Sequence, residues 1–202
     1  FSKIRAASQI MANLPYVKGV RIGIKLPDTV NIMIEEESVV YAIKSSDGQW
    51  WMMDSDGRVV EQANNAKAAT ATQVLGVTLE APTVNEKGVA TEMTPSETNE
   101  LGELIPVSTT GAQRLTAALQ ILKALENNDI VGEAASVDVT STEDIILWYG
   151  TRYQVNLGDT SRLDYKVDCM NDAILQMSDY QSGVLDISFT IWPNQVGYTP
   201  FA

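Results

Sequence analysis

The chain has 202 residues, of which 45% are apolar and 20% charged, enough for one large core or two small ones. Its 14 basic and 26 acidic residues leave a net charge of −12. The basic residues are scattered singly, which argues against a nucleic-acid or anionic-membrane partner. There is no histidine and only one cysteine, which excludes histidine-dependent catalysis and an intrachain disulfide.

The first 43 residues predict one helix and a strand hairpin. Apolar residues recur at helical spacing over residues 2–14, and the helix is expected to end before Pro15. Alternating apolar residues then predict strands over 17–24 and 30–34, joined by a Pro-Asp turn. Such a unit is small for an independent core, so we expect its opening elements, and any membrane anchor, to lie upstream of this fragment.

The middle of the chain predicts strand hairpins followed by a polar connector. Asp-Gly turns surround short apolar runs within residues 39–62, a pattern typical of successive hairpins. A short strand is expected over 74–79. The remainder of 63–110 is polar, and residues 81–108 combine three prolines with glutamates, which indicates a long surface loop.

The second half predicts two helices and several more strands. The helices span 110–127, with Thr110 as N-cap, and 161–177, with Ser161 and Asp164 as a capping box. The predicted strands are 135–139, 144–149, 153–157 and 184–191, followed by an extended run over 196–201. The irregular order of elements indicates an α+β fold. We expect a truncated helix-plus-hairpin unit in 1–43, then a mixed β domain of hairpins in 44–202, with two packed helices and a C-terminal edge strand.

Two acidic stretches are candidates for chemistry. The run Glu35 to Glu37 could supply one carboxylate of a hydrolase pair, but strand neighbours point to opposite faces, and a solvated strand end explains the run better. Asp54 to Gly57 resembles part of a calcium loop, yet the acids that the full pattern needs at Met52 and Ala63 are absent. We therefore predict no catalytic residue, no metal and no cofactor, with calcium at Asp54 and Asp56 left open.

The aromatic residues and the cysteine have simpler explanations. Adjacent Trp50 and Trp51 on a strand face opposite ways, so one is expected in the core and the other at a surface. Cys169 lies at helical spacing among Val167 and Met170, which favours a buried small side chain over a reactive thiol.

Four segments in order along the chain resemble the extracytoplasmic part of the FtsQ/DivIB family of bacterial cell-division proteins. They are LPYVKGVRIGIKLPDTVNIMIEEESVVYAI (14–43), WWMMDSDGRVVE (50–61), YQVNLGDTSRLDYKVDCMNDAIL (153–175), and VLDISF (184–189) with VGYTPF (196–201). The first is similar to the second half of a POTRA domain, and the others to the family's β domain. The chain departs from the family pattern in two places. Glu37 and Val39 occupy positions where the family commonly has arginine and proline, and residues 91–110 look like an insertion.

The resemblance implies a non-enzymatic scaffold rather than an enzyme. Members of the family span the membrane once and carry a POTRA domain and a β domain outside it. They bind FtsB- or DivIC-like and FtsL-like single-pass proteins at the septum and help to regulate septal peptidoglycan synthesis. The partner adds a strand at the last strand of the β domain, next to the preceding helix. No nucleic acid and no small-molecule substrate is implied.

Alternation in the C-terminal segment makes strand addition plausible, because one parity is apolar and the other polar. The expected partner-binding residues are Leu185, Ile187, Phe189, Ile191, Trp192, Val196 and Tyr198. A weaker contact is expected on the POTRA strand at Val20, Arg21 and Lys25. The alternative that these aromatic residues only complete the hydrophobic core is left open. So is a peptidoglycan-binding or hydrolysing module that uses Trp50 or Trp51 and acidic residues.

Overall fold

The computed structural model describes residues 2–36, 40–92, 97–98, 104–105, 109–191 and 193–201. The chain begins with α1 (Lys3–Asn13), whose N-cap Ser2 accepts a hydrogen bond from the Arg5 N–H. β1 (Val17–Lys25) and β2 (Thr29–Glu36) follow and pair antiparallel. This is the helix-and-hairpin unit that the sequence predicts.

The remaining strands build one large sheet and one small one. In chain order they are β3 (Tyr41–Ser45), β4 (Trp50–Met53), β5 (Val59–Ala63), β6 (Gln73–Leu79), β7 (Glu97–Thr98), β8 (Leu104–Ile105), β9 (Ala134–Asp138), β10 (Ile145–Tyr149), β11 (Tyr153–Gly158), β12 (Gly183–Asp186) and β13 (Gly197–Pro200). Nine of them form a sheet in the order β13-β12-β11-β10-β9-β6-β3-β4-β5, while β7 and β8 pair separately. β3 contains the predicted domain boundary at residue 43.

The helices of this region are α2 (Asn65–Ala68), α3 (Gly111–Asn127) and α4 (Leu163–Leu175). β6 pairs parallel with β9 and β11 with β12, so each of these connections must cross over the sheet. The crossovers carry α3 and α4, which pack together on one face and bury a common core with the strands. Within the described residues, no helix is long and apolar enough to cross a membrane.

Local sequence signals account well for α3. Thr110 accepts a hydrogen bond from the Gln113 N–H at 3.2 Å, and the Gln113 side chain accepts from the Thr110 N–H at 2.8 Å. This reciprocal pair is a capping box, and it satisfies donors that a helix start leaves open. The predicted N-cap at Thr110 is confirmed. The α+β class, with two packed helices and a C-terminal edge strand, is confirmed as well.

Two predicted details near the C-terminus are wrong. The strand expected over 184–191 ends at Asp186, because Phe189 has a φ of +58°, which no extended strand allows. β12 is also paired on both sides, so the edge of the sheet is β13. Ser161 is not the start of a capping box: α4 begins after Arg162, whose φ is +53° and which makes no side-chain cap.

Candidate functional site

The outer side of β13 is the candidate binding edge, and one backbone hydrogen bond fixes which groups face it. The Phe201 N–H donates to the Ser182 carbonyl at 3.1 Å, so Phe201 faces β12. The backbone of an antiparallel edge strand alternates sides with each residue. Thr199 therefore faces β12 as well, whereas Tyr198 and Pro200 present their backbone groups to the outside.

This edge offers few groups to a neighbour. Tyr198 presents one N–H and one carbonyl, but Pro200 presents only a carbonyl because proline has no N–H. Among the described residues, none donates to or accepts from these outward groups. A short strand and an outward proline are both features that discourage indiscriminate pairing at a sheet edge. Strand addition is thus possible here, but only over a short stretch.

Four side chains gather at the end where β12 stops and β13 begins. We call Arg162, Tyr165, Phe189 and Asn194 the Arg162 cluster. The guanidinium carbon of Arg162 lies 5.3 Å from the Tyr165 ring centroid and 5.2 Å from that of Phe189. The two rings lie 5.7 Å apart, and Arg162 Nη1 donates to Asn194 Oδ1 at 3.0 Å. The cation is therefore held against two aromatic faces.

Three members of the cluster have left-handed backbones. The φ values are +53° at Arg162, +58° at Phe189 and +57° at Asn194. Such conformations cost about 1–3 kcal/mol for residues other than glycine, and they concentrate at functional sites. Their meeting in one place, next to an unpaired sheet edge, marks this end of the sheet as the strongest candidate for a function.

An ion pair fixes the loop that leads into the cluster. Lys166 is 1% exposed, and its Nζ donates to the carbonyl and to Oδ1 of Asp159, both at 2.8 Å. This bond, with a second from Ser161, lowers the pKa of Asp159 to about 2. Just before it, Gly158 has a φ of +64°, and a Cβ there would lie 2.8 Å from Ser188 Cβ. The turn thus packs closely on the segment that carries Phe189.

The predicted partner-binding residues fall into different environments. Leu185 and Ile187 are fully buried in the core that the strands share with the helices, so their side chains do not reach the surface, and a role for them in partner binding stays a prediction. Phe189 belongs to the cluster, and Ile191 is 67% exposed. Val196 and Tyr198 are half-buried, and the Tyr198 hydroxyl donates to the Ser182 carbonyl at 3.1 Å.

Trp192 lies outside the described residues. The sequence interpretation missed Arg162, Tyr165 and Asn194 altogether. Nothing in their spacing indicates that left-handed turns bring them to Phe189. An exposed arginine between a strand and a helix is too common a feature to single out.

The predicted contact on the first hairpin is exposed and partly concave. Val20 and Arg21 line a cavity of about 530 Å³ that is completed by Gly19, Met33, Ile34 and Glu35. Lys25 is exposed near the hairpin turn and does not line it. Nothing else in the geometry distinguishes these three residues, so the contact stays a prediction.

The two acidic residues considered for calcium have partners within the protein. Asp54 accepts from Arg58 Nε at 3.1 Å and is nearly buried, and Asp56 pairs with Lys123 at 3.1 Å. Among the described residues, no group of three potential metal ligands occurs. Glu35 and Glu36 end β2, and Glu37 lies outside the described residues.

The tryptophans do not form one platform. Trp51 packs on the large core and Trp50 on the smaller cluster across the sheet, as strand alternation predicts. Trp148 stacks on Phe201 with centroids 6.2 Å apart. Three strands separate β10 from β4, which places Trp148 about 19 Å from Trp50.

Comparison with known proteins finds similarity to bacterial cell-division proteins. No family model matches the chain. A curated cell division protein DivIB of Clostridium tetani is 25% identical over 185 residues, which cover 90% of this chain and 62% of that protein. A DivIB of Clostridium acetobutylicum is 34% identical over 65 residues, 32% of this chain and 26% of that protein. The chain thus spans about three fifths of the C. tetani protein. These two relatives confirm the resemblance found in the four segments: the chain is similar to DivIB cell-division proteins over 90% of its length.

Proposed function

We propose that this chain is the extracytoplasmic part of a non-enzymatic scaffold of the bacterial division machinery. It binds FtsB- or DivIC-like and FtsL-like single-pass division proteins, and thereby helps to regulate septal peptidoglycan synthesis. It acts at the septum, outside the cell membrane, to which a single membrane helix anchors it. Residues 1–43 are the POTRA part and residues 44–202 the partner-binding β domain.

The unpaired outer side of β13 carries this proposal. A partner segment that pairs there would extend the nine-stranded sheet by one strand, with backbone hydrogen bonds giving affinity and side-chain pockets giving selectivity. Tyr198 is the pairing centre, since it alone in β13 has both an outward N–H and an outward carbonyl. Phe189 and the exposed Ile191 lie beyond the start of β13, where the partner's side chains would find apolar contacts.

Contacts within the protein support a scaffold rather than an enzyme. The carboxylates of Asp54, Asp56 and Asp159 each bond a basic side chain, so none is poised as an acid or base on a substrate. The rival module for peptidoglycan binding would need a shared aromatic surface, whereas Trp50 and Trp51 pack on opposite faces of the sheet. No observation favours that rival.

Two substitutions at Tyr198 separate its backbone from its ring. Tyr198→Ala removes the ring and keeps the N–H, whereas Tyr198→Pro also removes the outward N–H at an edge position that tolerates proline. We expect Tyr198→Pro to bind the soluble parts of the DivIC-like and FtsL-like proteins about tenfold more weakly than Tyr198→Ala. Isothermal titration calorimetry measures both.

Pro200→Ala is the matched gain-of-function variant. It restores an outward N–H and should tighten binding about threefold, through one more backbone hydrogen bond. Equal affinities for Tyr198→Pro and Tyr198→Ala, with both variants folded by circular dichroism, would contradict strand addition at this edge. Retention of the chain on purified peptidoglycan, without any affinity for the division proteins, would favour the rival.

A further inference from the structure

We propose that Arg162 binds a carboxylate on the partner segment that pairs with β13. This proposal rests on the proposed function, and it adds what kind of side chain that segment must carry. The acidic residue lies at the end of the partner strand that meets Gly197, and not at the end that meets Pro200.

The first support is that Arg162 has no acidic partner of its own. Four other cations in the described residues form ion pairs: Arg58 with Asp54, Lys67 with Glu61, Lys123 with Asp56, and Lys166 with Asp159. Arg162 is exposed and joins no ion pair there, although the chain carries a net charge of −12. Arg5 and Arg152 join no ion pair in the described residues either, so this leaves the charge of Arg162 available to an external anion, and its contacts and its position beside β13 distinguish it from the other cations.

The second support is that the guanidinium is held in place but not saturated. The rings of Tyr165 and Phe189 contact it, and Asn194 accepts from Nη1. Among the described residues, Asn194 is the only hydrogen-bond partner of this guanidinium, which carries five N–H donors. The remaining donors suit the planar, two-oxygen geometry of a carboxylate. Because the side chain is already ordered, a ligand pays little entropy to use it.

The third support is position. Asp186 pairs with Gly197, so β12 ends where β13 begins, and Phe189 and Asn194 lie in the connection between them. A segment running along the outer side of β13 therefore has one end beside the Arg162 cluster. The other end meets Pro200, where no donor is available. A carboxylate at the cluster end would fix the direction and register of a short strand whose backbone bonds alone specify little.

The test combines one substitution on each side of the contact. Overlapping peptides from the DivIC-like and FtsL-like proteins of the same cell are screened against the chain, and each acidic residue of the best binder is replaced by its amide. Arg162→Gln keeps a polar side chain at the site. Arg5→Gln, on the exposed face of α1, makes the same charge change far from β13 and serves as the control. Dissociation constants are measured from about 0.05 M to 0.5 M NaCl.

We expect Arg162→Gln to weaken binding about tenfold at low salt, and one amide substitution in the peptide to weaken it equally. Combined, the two changes should cost little more than either alone, and Arg5→Gln should have no effect. The peptide substitution does not depend on the folding of the Arg162 variant.

Three results would overturn the proposal. If Arg162→Gln weakens acidic and amide peptides alike, Arg162 acts by packing on Phe189. If Arg162→Gln binds normally while Tyr198→Pro does not, strand addition stands without a carboxylate site. If neither Arg162→Gln nor Tyr198→Pro changes affinity, the peptide binds elsewhere on the chain, and strand addition at β13 fails together with this inference.

Discussion

The two edges of the nine-stranded sheet are treated in opposite ways. At β5, the Val59 N–H donates to the Glu86 carbonyl and the Val59 carbonyl accepts from the Asn85 N–H, both at 2.8 Å. Further along that strand, the carboxylate of Glu61 accepts hydrogen bonds from the Tyr16 hydroxyl and from Lys67. At β13 the described residues leave the outward groups of Tyr198 without a partner.

The difference shows which edge of the sheet has its backbone groups bonded within the protein and which does not. The β5 edge is bonded by the chain's own 85–86 segment and by the first unit, which adds a bond from Asn85 Nδ2 to the Ala12 carbonyl at 2.9 Å. The β13 edge is protected only by its short length and by Pro200. Strain is also unequal, since three left-handed residues other than glycine lie beside β13 and one, Asn85, lies beside β5. The β5 edge is closed by the protein itself, whereas the described residues leave the β13 edge open to a further strand.

The largest effect is expected from a glycine at the open end. Gly158→Ala forces a left-handed alanine and places a Cβ 2.8 Å from Ser188 Cβ. We expect a loss of about 2–4 kcal/mol in the free energy of unfolding, from strain and overpacking together. Urea denaturation measures it.

Gly48→Ala is the matched control, because Gly48 also has a positive φ, of +82°, but no atom lies within 4 Å of its added Cβ. It should cost only about 1 kcal/mol, from backbone strain alone. Equal losses for the two alanine variants would show that the close approach of Gly158 to Ser188 does not matter.

The ion pair behind the cluster should give a smaller, pH-dependent effect. Asp159→Asn removes a carboxylate whose side chain is 58% exposed, so solvent screening limits the loss to about 1 kcal/mol near pH 7. The pKa of Asp159 is lowered from 3.8 to about 2, chiefly by its bond from Lys166. Its contribution is therefore fully present above about pH 4 and lost as the pH falls through about 2.

The difference in unfolding free energy between wild type and Asp159→Asn should shrink over that pH window in urea titrations. Lys166→Met is the companion variant, because an apolar side chain of similar length can replace a buried cation at little cost. It should change stability by less than about 1 kcal/mol and reduce the dependence on pH to the part that the hydrogen bonds from Ser161 contribute. A pH dependence that is undiminished in Lys166→Met would assign it to groups other than the ion pair.

The smallest effect is expected at the covered edge. Tyr16→Phe removes the hydroxyl that bonds Glu61 and Lys67 in a partly exposed network, which should cost about 0.5 kcal/mol. Partner affinity should not change, since this network lies at the opposite edge from β13. A clear loss of affinity in calorimetry would mean that the first unit takes part in binding.

Local signals in the sequence were enough for much of the fold. The Thr110 cap, the Asp-Gly turns and the strands on either side of those turns depend on neighbouring residues, and the structure has them where predicted. The order of the strands in the sheet could not be predicted from the sequence, because the parallel pairs of β6 with β9 and of β11 with β12 are formed by distant segments. Periodicity predicts elements, but it does not say which distant strands pair.

Only part of the candidate site could be predicted from the sequence, for a similar reason. Alternation separates the two faces of a strand, but it does not say which face the helices cover, and Leu185 and Ile187 proved buried. Phe189 and Tyr198 were found through the family resemblance. Arg162 could not be found, since left-handed turns at Arg162, Phe189 and Asn194 create the cluster and none of these residues favours that conformation as glycine does.

Amide hydrogen exchange, resolved by NMR with and without the partner peptide, tests the contrast between the edges most directly. The account predicts that exchange at the Tyr198 N–H slows at least about tenfold on binding, because that donor becomes part of a new strand pair. The amide of Glu61 on β5 should not change. Protection at Glu61 or on the first hairpin, with Tyr198 unaffected, would contradict the claim that β13 is the partner-binding edge.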